Sequence, residues 1–183
     1  MSTKYKATVP DVAYFITMTT VDWIDIFTRP EQKEVIIKSL RYCQQHKGLE
    51  IFAYCLMSNH LHMICKADEG ILSDILRDFK KFTSKEIIKT IKESPESRRK
   101  WMLTLFERAC EHLKRDQQYK VWQNGYHAES LTSGKFLNQK LNYIHHNPVK
   151  DRIVENPEDY LFSSARNYAG MEGELEVNLL ELI

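Results

Sequence analysis

Residues 50–65 read EIFAYCLMSNHLHMIC, and this stretch decides the fold because it predicts two strands joined by a tight turn. Its two halves, residues 50–57 and 60–65, are rich in the apolar, β-branched and aromatic residues that strands favour. Ser58-Asn59 lies between them and is typical of a two-residue turn. The stretch therefore predicts an antiparallel hairpin.

The second strand of this hairpin carries two histidines, His60 and His62, on either side of Leu61. Side chains two apart along a strand share a face, so the two imidazoles project side by side. The intervening and following apolar residues, Leu61, Met63 and Cys65, point the other way into a core. Two imidazoles on one face make half of a divalent-metal site.

The rest of the chain continues this pattern of strands and amphipathic helices. Hydrophobic periodicity and punctuation by Pro and Gly predict the element order β-α-β-β-α-α-β-α, an α+β fold with an antiparallel sheet. Besides the hairpin, the predicted elements are a strand over 12–20, helices over 30–47, 71–92 and 98–114, a short strand over 119–122, and a helix over 135–146.

Length and composition set the class of protein. A chain of 183 residues suits one domain, which we place over residues 1–170, followed by an acidic tail over 171–183. No apolar run approaches the roughly 20 residues that span a bilayer, and the N-terminus lacks the apolar region of a signal peptide. These features predict a cytoplasmic protein without a membrane partner.

The four cysteines form no close CxxC pair and are interpreted as reduced, buried thiols.

The near-neutral net charge of +1 conceals a basic middle segment. Residues 77–120 contain 13 Lys and Arg but only 7 Asp and Glu, whereas the tail contains four Glu and no basic residue. A basic segment is one signature of a nucleic-acid partner. Taken alone, however, the charge pattern fits a solvated helix surface better than a nucleic-acid binding surface.

The predicted helix over 135–146 places a tyrosine beside a polar stripe. Leu137, Leu141 and Ile144 recur at the spacing of a buried face. The adjacent stripe contains Lys140, Tyr143 and Asn147. Because Pro148 disfavours helical geometry at the preceding residue, we expect the helix to end before Asn147, leaving its amide oxygen for a metal or a cap.

These groups suit one kind of chemistry. A phenol ordinarily has a pKa near 10 and becomes a nucleophile when a base or metal lowers the barrier. A divalent ion held by two imidazoles and an amide oxygen keeps open positions for the oxygens of a phosphodiester. Mixed nitrogen and oxygen ligands favour Mg²⁺ or Mn²⁺ over a closed thiolate zinc site.

The chain resembles the HUH single-tyrosine transposases, and within them the REP-associated tyrosine transposases. The similarity extends over residues 10–168, and the order of several short motifs carries it. Those motifs are His60-Leu61-His62, Asp78-Phe79-Lys80-Lys81-Phe82, Val121-Trp122-Gln123, Tyr143-Ile144-His145-His146-Asn147-Pro148-Val149-Lys150, Pro157-Glu158-Asp159-Tyr160 and Ser163-Ser164.

The resemblance implies a ferredoxin-like fold and a metal-dependent transposase that nicks and rejoins single-stranded DNA beside hairpins. His60 and His62 would be metal ligands, and Tyr143 would form a 5′-phosphotyrosine. Asn147 would be the third ligand. Related enzymes usually have Gln there, whose side chain is one methylene longer.

Alternatives remain open at two positions. Tyr126 also follows a matched motif and is a second candidate nucleophile, and His146 is a second candidate for the third ligand. The oligomeric state is open between a monomer and a homodimer. Six basic residues are candidates for contacts with backbone phosphates: Lys80, Lys81, Lys85, Arg98, Arg99 and Lys100.

Two other functions fit the same residues. A DNA-hairpin binding protein without catalysis would bind hairpins but cleave nothing in Mg²⁺ or Mn²⁺. A metal-dependent phosphodiesterase that uses water would keep its activity when Tyr143 is replaced by Phe. Exposed aromatics near the site are expected to stack on unpaired bases, whereas Trp101 and Trp122 are interpreted as core residues.

Overall fold

A computed structural model describes residues 7, 9, 11–68, 71–111 and 117–180. These residues form a four-stranded antiparallel sheet with helices on both faces, which confirms the α+β prediction. No described helix is long and apolar enough to cross a membrane. The elements are β1 Tyr14–Thr19, α1 Pro30–Lys47, β2 Leu49–Leu56, β3 His60–Ala67, α2 Leu72–Glu93, α3 Arg99–Arg108, β4 His127–Ser130, α4 Gly134–Lys150 and α5 Ala165–Tyr168, with 3₁₀ turns at Val21–Trp23 and Pro157–Asp159.

The strand order in the sheet is β2-β3-β1-β4, the order of a ferredoxin-like fold. The central pair, β1 and β3, is antiparallel and places Thr17 opposite His62. The predicted hairpin is confirmed as β2 and β3, with Ser58 and Asn59 at the turn. The sheet therefore brings the two histidines next to its middle strand.

The alternation of side chains along the strands produces two cores. The main core lies on one face and includes Leu61, Met63 and Cys65 of β3 together with apolar residues of α1 and α2. The second core lies on the other face, where Phe15 and Ile64 pack with apolar residues of α4. The histidine pair shares this second face, as the two-residue spacing predicts. All four cysteines are buried and free.

Three predicted elements differ from the structure. Residues 119–122 are not a strand; Trp122 makes only an isolated bridge to Thr20, and the fourth strand is β4. The third helix ends at Arg108 rather than at residue 114, and residues 112–116 lie outside the described residues.

The third difference is that α4 continues through Pro148 to Lys150, so the prediction that it ends before Asn147 is wrong. Proline has no N–H to donate to the preceding turn of the helix. The last turn is nevertheless closed, because the carbonyls of Asn147 and Pro148 accept from the amides of Asp151 and Ile153, at 3.1 and 2.9 Å. Asn147 therefore lies inside the helix.

The C-terminal segment covers the outer edge of β2. The Leu56 amide donates to the Phe162 carbonyl at 2.9 Å, and the Asn178 amide donates to the Ile51 carbonyl at 2.9 Å. Leu175 of the acidic tail is buried in the main core. The described part of the tail therefore packs on the domain.

Ser164 joins three parts of this fold. Its hydroxyl accepts from the Tyr54 amide at 2.9 Å, donates to the Tyr54 carbonyl at 3.2 Å, and shares a 2.9 Å hydrogen bond with Nε2 of His145. The side chain is fully buried. It therefore links the edge of β2, helix α4 and the C-terminal segment.

We predict that Ser164→Ala lowers the free energy of unfolding by about 1–3 kcal/mol, because it leaves buried polar groups unpaired. Urea unfolding followed by circular dichroism measures this loss. Ser97→Ala removes an exposed hydroxyl and is the matched control. Equal midpoints for the two variants would contradict the linking role of Ser164.

Candidate metal and tyrosine site

His60 and His62 lie at the start of β3, and their ring centroids are 4.6 Å apart. His62 is buried, whereas His60 is half-buried. Among the described residues, no group of three His, Cys, Asp or Glu side chains is arranged to hold a metal. A metal at this pair would therefore need a ligand of another type, such as an amide oxygen.

The tautomer of His60 follows from a chain of hydrogen bonds. The amide nitrogen of Asn59 donates to the Asp25 carboxylate at 3.1 Å and to the Trp23 carbonyl at 3.2 Å. The Asn59 amide oxygen therefore faces Nδ1 of His60, 2.7 Å away. Because an amide oxygen only accepts, Nδ1 donates the proton and Nε2 keeps its lone pair. Such support is typical of histidines that bind metals.

His62 is held in a comparable way from β1. Its Nδ1 shares a 2.9 Å hydrogen bond with the Thr17 hydroxyl, and its ring stacks on Phe15 with centroids 5.4 Å apart. In the described part of the chain, Nε2 of each histidine has no hydrogen-bond partner. The two Nε2 atoms are thus the nitrogens available to a metal.

Burial keeps both imidazoles neutral. Desolvation lowers the pKa of His60, although Asp151 and Asp25 oppose this change. Desolvation, together with the charges of His60 and Lys140, lowers the pKa of His62 to about 3. A neutral imidazole can donate its lone pair to a metal. The pair therefore fits a divalent ion without first losing protons at neutral pH.

Helix α4 places Tyr143 against this pair. The Tyr143 ring meets the His62 ring edge-on with centroids 5.1 Å apart, and it also contacts Phe15 at 5.9 Å. Its side chain is nevertheless 44% exposed. One turn earlier, Lys140 lies 4.3 Å above the Phe15 ring and forms a 2.7 Å ion pair with Glu129. The tyrosine is thus both fixed in position and open to a ligand.

Asn147 follows Tyr143 by one helical turn and is buried. The next turn brings Asp151 close enough to His60 to act on its pKa. Since Tyr143 contacts His62 and Asp151 caps the end of α4, Asn147 lies on the stretch of helix between these two residues. Two nitrogens and one amide oxygen, with positions left open, make a donor set that could hold a divalent ion.

The alternative residues lie elsewhere. Tyr126 packs against the main core, on the opposite face of the sheet, and its hydroxyl accepts from the Ala7 amide at 3.3 Å. His146 is exposed, and its Nδ1 bonds to the Asn142 carbonyl at 3.0 Å. The structure therefore brings Tyr143 to the histidines and does not bring Tyr126 there.

The basic residues proposed for phosphate contacts fall into two groups. Lys80 is half-buried and donates to the carbonyls of Gln123, at 2.7 Å, and Gly125; burial, together with the charge of Lys120, lowers its pKa to about 8. Arg98 bonds to Glu96, and Arg99 donates to the Ser94 carbonyl. These three hold the fold together. The other three are exposed: Lys81, Lys85 and Lys100.

Lys81 and Lys85 line a groove between α2 and residues 117–126, which we call the α2 groove. Its volume is about 1390 Å³. Basic side chains dominate its charged lining: Arg77, Lys80, Lys81, Lys85, Lys89, Lys92 and Lys120, with Asp78 and Glu93.

One aromatic residue near the site was missed by sequence reasoning. Trp23 is 59% exposed, and its ring meets the His60 ring edge-on at 6.2 Å between centroids. Trp122 is buried, as predicted, but Trp101 is 52% exposed, so the prediction that it is a core residue is wrong. No periodic pattern surrounds Trp23, because it lies in a short irregular turn.

Comparison with known proteins identifies the family of this chain. Residues 8–109, more than half of the chain, match the family described as "Transposase IS200 like". The fold and the match define a transposase. The chain belongs to the IS200-like transposase family, which confirms the predicted superfamily.

One solved structure shows the same fold. A REP-associated tyrosine transposase bound to a REP hairpin is 21% identical, with a TM-score of 0.61 over 99% of this chain and 94% of that chain. A putative transposase from Deinococcus radiodurans R1 is 16% identical, with a TM-score of 0.45 over 78% of this chain and 95% of that chain. No curated protein matches the chain.

The buried histidines predict a loss of stability in acid. Desolvation, with a smaller effect of His146, lowers the pKa of His145 to about 4, and the pKa of His62 is lowered to about 3. Unfolded histidines titrate near pH 6.5. As the pH falls from about 6.5 towards these folded values, the unfolded chain binds protons that the folded chain does not, so the free energy of unfolding decreases.

We therefore expect the urea midpoint to fall between pH 7 and pH 5, and to fall less in His145→Gln, which removes one of the two groups. His46→Gln replaces an exposed histidine and is the control. A midpoint that does not change over this range would contradict the neutral, buried state of these histidines.

Proposed function

We propose that this transposase nicks and rejoins single-stranded DNA beside hairpins through a 5′-phosphotyrosine on Tyr143, with a divalent metal at His60 and His62. The observation that carries the proposal is the contact between the Tyr143 ring and the His62 ring, 5.1 Å between centroids. It joins a nucleophile and a ligand that are 81 positions apart in the chain. A buried packing tyrosine would not need the exposure that Tyr143 has.

The metal would be held by Nε2 of His60, Nε2 of His62 and the amide oxygen of Asn147, with Mg²⁺ or Mn²⁺ as candidates. When bound there, such an ion would polarise the scissile phosphate and stabilise the charge that develops on it. The protein holds the imidazoles neutral by burial and orients them through Asn59 and Thr17. The site is therefore prepared before DNA arrives.

Tyr143 provides the covalent step. Its phenolic oxygen forms a bond to phosphorus while the bond from phosphorus to the 3′-oxygen breaks. The phenolic proton leaves to solvent, and the released 3′-oxygen takes up a proton to become a hydroxyl. Attack of a 3′-hydroxyl on the phosphotyrosine reverses these steps and rejoins DNA, with no external energy source.

The α2 groove supports a DNA partner. Its lining carries an excess of basic over acidic side chains. Exposed lysines such as Lys81 and Lys85 attract phosphates without reading sequence. The hairpin bound to the structurally similar REP-associated transposase makes a hairpin the first substrate to try.

We predict a denaturation-resistant DNA adduct in wild type and none in Tyr143→Phe, because Phe keeps the ring but lacks the attacking oxygen. Both proteins are incubated with Mn²⁺ and a labelled pool of hairpin-bearing single strands, and adducts are detected on a denaturing gel. Tyr126→Phe is the matched control and should retain the adduct.

Other outcomes point to the rival functions. Cleavage that survives in Tyr143→Phe would indicate water as the nucleophile. Hairpin binding by wild type with neither adduct nor cleavage would indicate a binding protein. His60→Ala should lose metal-dependent cleavage and keep most of its DNA binding.

The hydrogen bond from His60 to Asn59 generates a separate prediction. Asn59→Ala frees the ring of His60 to rotate and to change tautomer, so we expect Mn²⁺ affinity to fall about 10–100-fold. Calorimetric titration of the DNA-free protein measures this affinity. Asn124→Ala removes an exposed amide and is the control. Unchanged Mn²⁺ affinity in Asn59→Ala would show that this bond does not position a ligand.

A further inference from the structure

Trp23 combines wide exposure with a strained backbone. Its φ is 54°, and the preceding Asp22 has a φ of 50° and a ψ of 25°. Two consecutive non-glycine residues in the left-handed region are uncommon, and a bulky residue there is an outlier. Such strain persists only where surrounding bonds hold it, and it clusters at functional sites.

Hydrogen bonds hold this turn to the metal-ligand strand. The Trp23 amide donates to the Thr20 carbonyl at 3.3 Å, and the Trp23 carbonyl accepts from the Asn59 amide at 3.2 Å. Asn59 also accepts from His60. One side chain thus positions both the exposed indole and the candidate ligand, and the indole lies beside the His60 ring.

Two cavities lead towards this turn. A cavity of about 390 Å³ is lined by Val21 and Asp22, immediately before Trp23, and by Arg108. It shares Lys120, Gln123 and Asn124 with the α2 groove. The two cavities therefore adjoin at these three residues, and the smaller one reaches the turn that carries Trp23.

We propose that Trp23 is a stacking platform for an unpaired nucleobase of a DNA strand that runs from the α2 groove to the histidine pair. This inference rests on the proposed function and adds a subsite to it. Basic side chains would follow the phosphates, and the indole would take the flat face of a base. The basic lining of the α2 groove disfavours a cationic ligand, whereas a strand of single-stranded DNA offers both phosphates and exposed bases.

Stacking on Trp23 can be observed by its fluorescence. The protein contains three tryptophans, so Trp101→Phe leaves Trp23 and the buried Trp122 as the only emitters. We expect an unstructured thymidine oligonucleotide to quench this emission. An abasic oligonucleotide with the same number of phosphates should quench it little.

Affinity provides the second measurement. The loss of one stacked base lowers affinity about 5–150-fold. We therefore expect Trp23→Ala to bind the thymidine oligonucleotide more weakly by that factor. A fluorescence-anisotropy titration with labelled DNA measures the change. Binding of the abasic oligonucleotide should not change, and Trp23→Phe should restore part of the loss. Trp101→Ala, which removes the other exposed indole, should bind as wild type does.

Three results would overturn the proposal. They are an equal loss of affinity for both oligonucleotides in Trp23→Ala, equal quenching by both, and no binding of the thymidine oligonucleotide at low salt. A melting temperature of Trp23→Ala close to that of wild type shows that a loss is not caused by unfolding.

The subsite and the proposed function fail in different ways. Tyr143→Phe should still show the quench, because stacking needs no covalent step. A quench without an adduct in wild type would reject the covalent mechanism and support the subsite. An adduct without a quench would support the covalent mechanism and reject the subsite.

Discussion

The pleat of β3 is the constraint on which the site depends. Each step along this strand alternates between the main core and the opposite face, so Leu61 and Met63 are buried on one side while His60 and His62 share the other. A shift of one residue in the register between β1 and β3 would turn both imidazoles into the main core and bring leucine and methionine to the site. The hydrophobic effect that fixes the sheet therefore also fixes the two candidate ligands, and stability and site geometry are inseparable in this strand.

The nucleophile candidate depends on a different set of contacts. Tyr143 belongs to α4, which is held to the sheet by the second core and by the hydrogen bond between His145 and Ser164. Two residues of one helix thus have separate tasks, since His145 faces the C-terminal segment while Tyr143 faces His62. Helical geometry makes this possible, because positions two apart point to nearly opposite sides, about 200° apart. The C-terminal segment is thus linked through α4 to the helix face that carries Tyr143.

Much of this arrangement could be predicted from the sequence because it depends on short periods. The strand period of two placed the histidines on one face, and the helical period placed Tyr143 outside the buried stripe formed by Leu141 and Ile144. The features that were missed depend on contacts between distant residues. Strand β4 is only four residues long and carries little pattern. The left-handed turn at Trp23 is held by Asn59, 36 positions away, and no pattern in the neighbouring residues predicts this turn.

The C-terminal segment has a consequence for assembly. Sheets with a free outer strand can recruit a strand from another molecule. Here the chain's own residues 162–164 and 178 bond to β2 where such a strand would add. Within the part of the chain that the structure describes, β4 is the other edge strand of the sheet, and its four residues offer few backbone groups for pairing with an added strand. Two copies that joined their sheets edge to edge would have to meet there, beside the start of α4 and the ion pair between Glu129 and Lys140, so self-association by that route would place a second copy next to the helix that carries Tyr143.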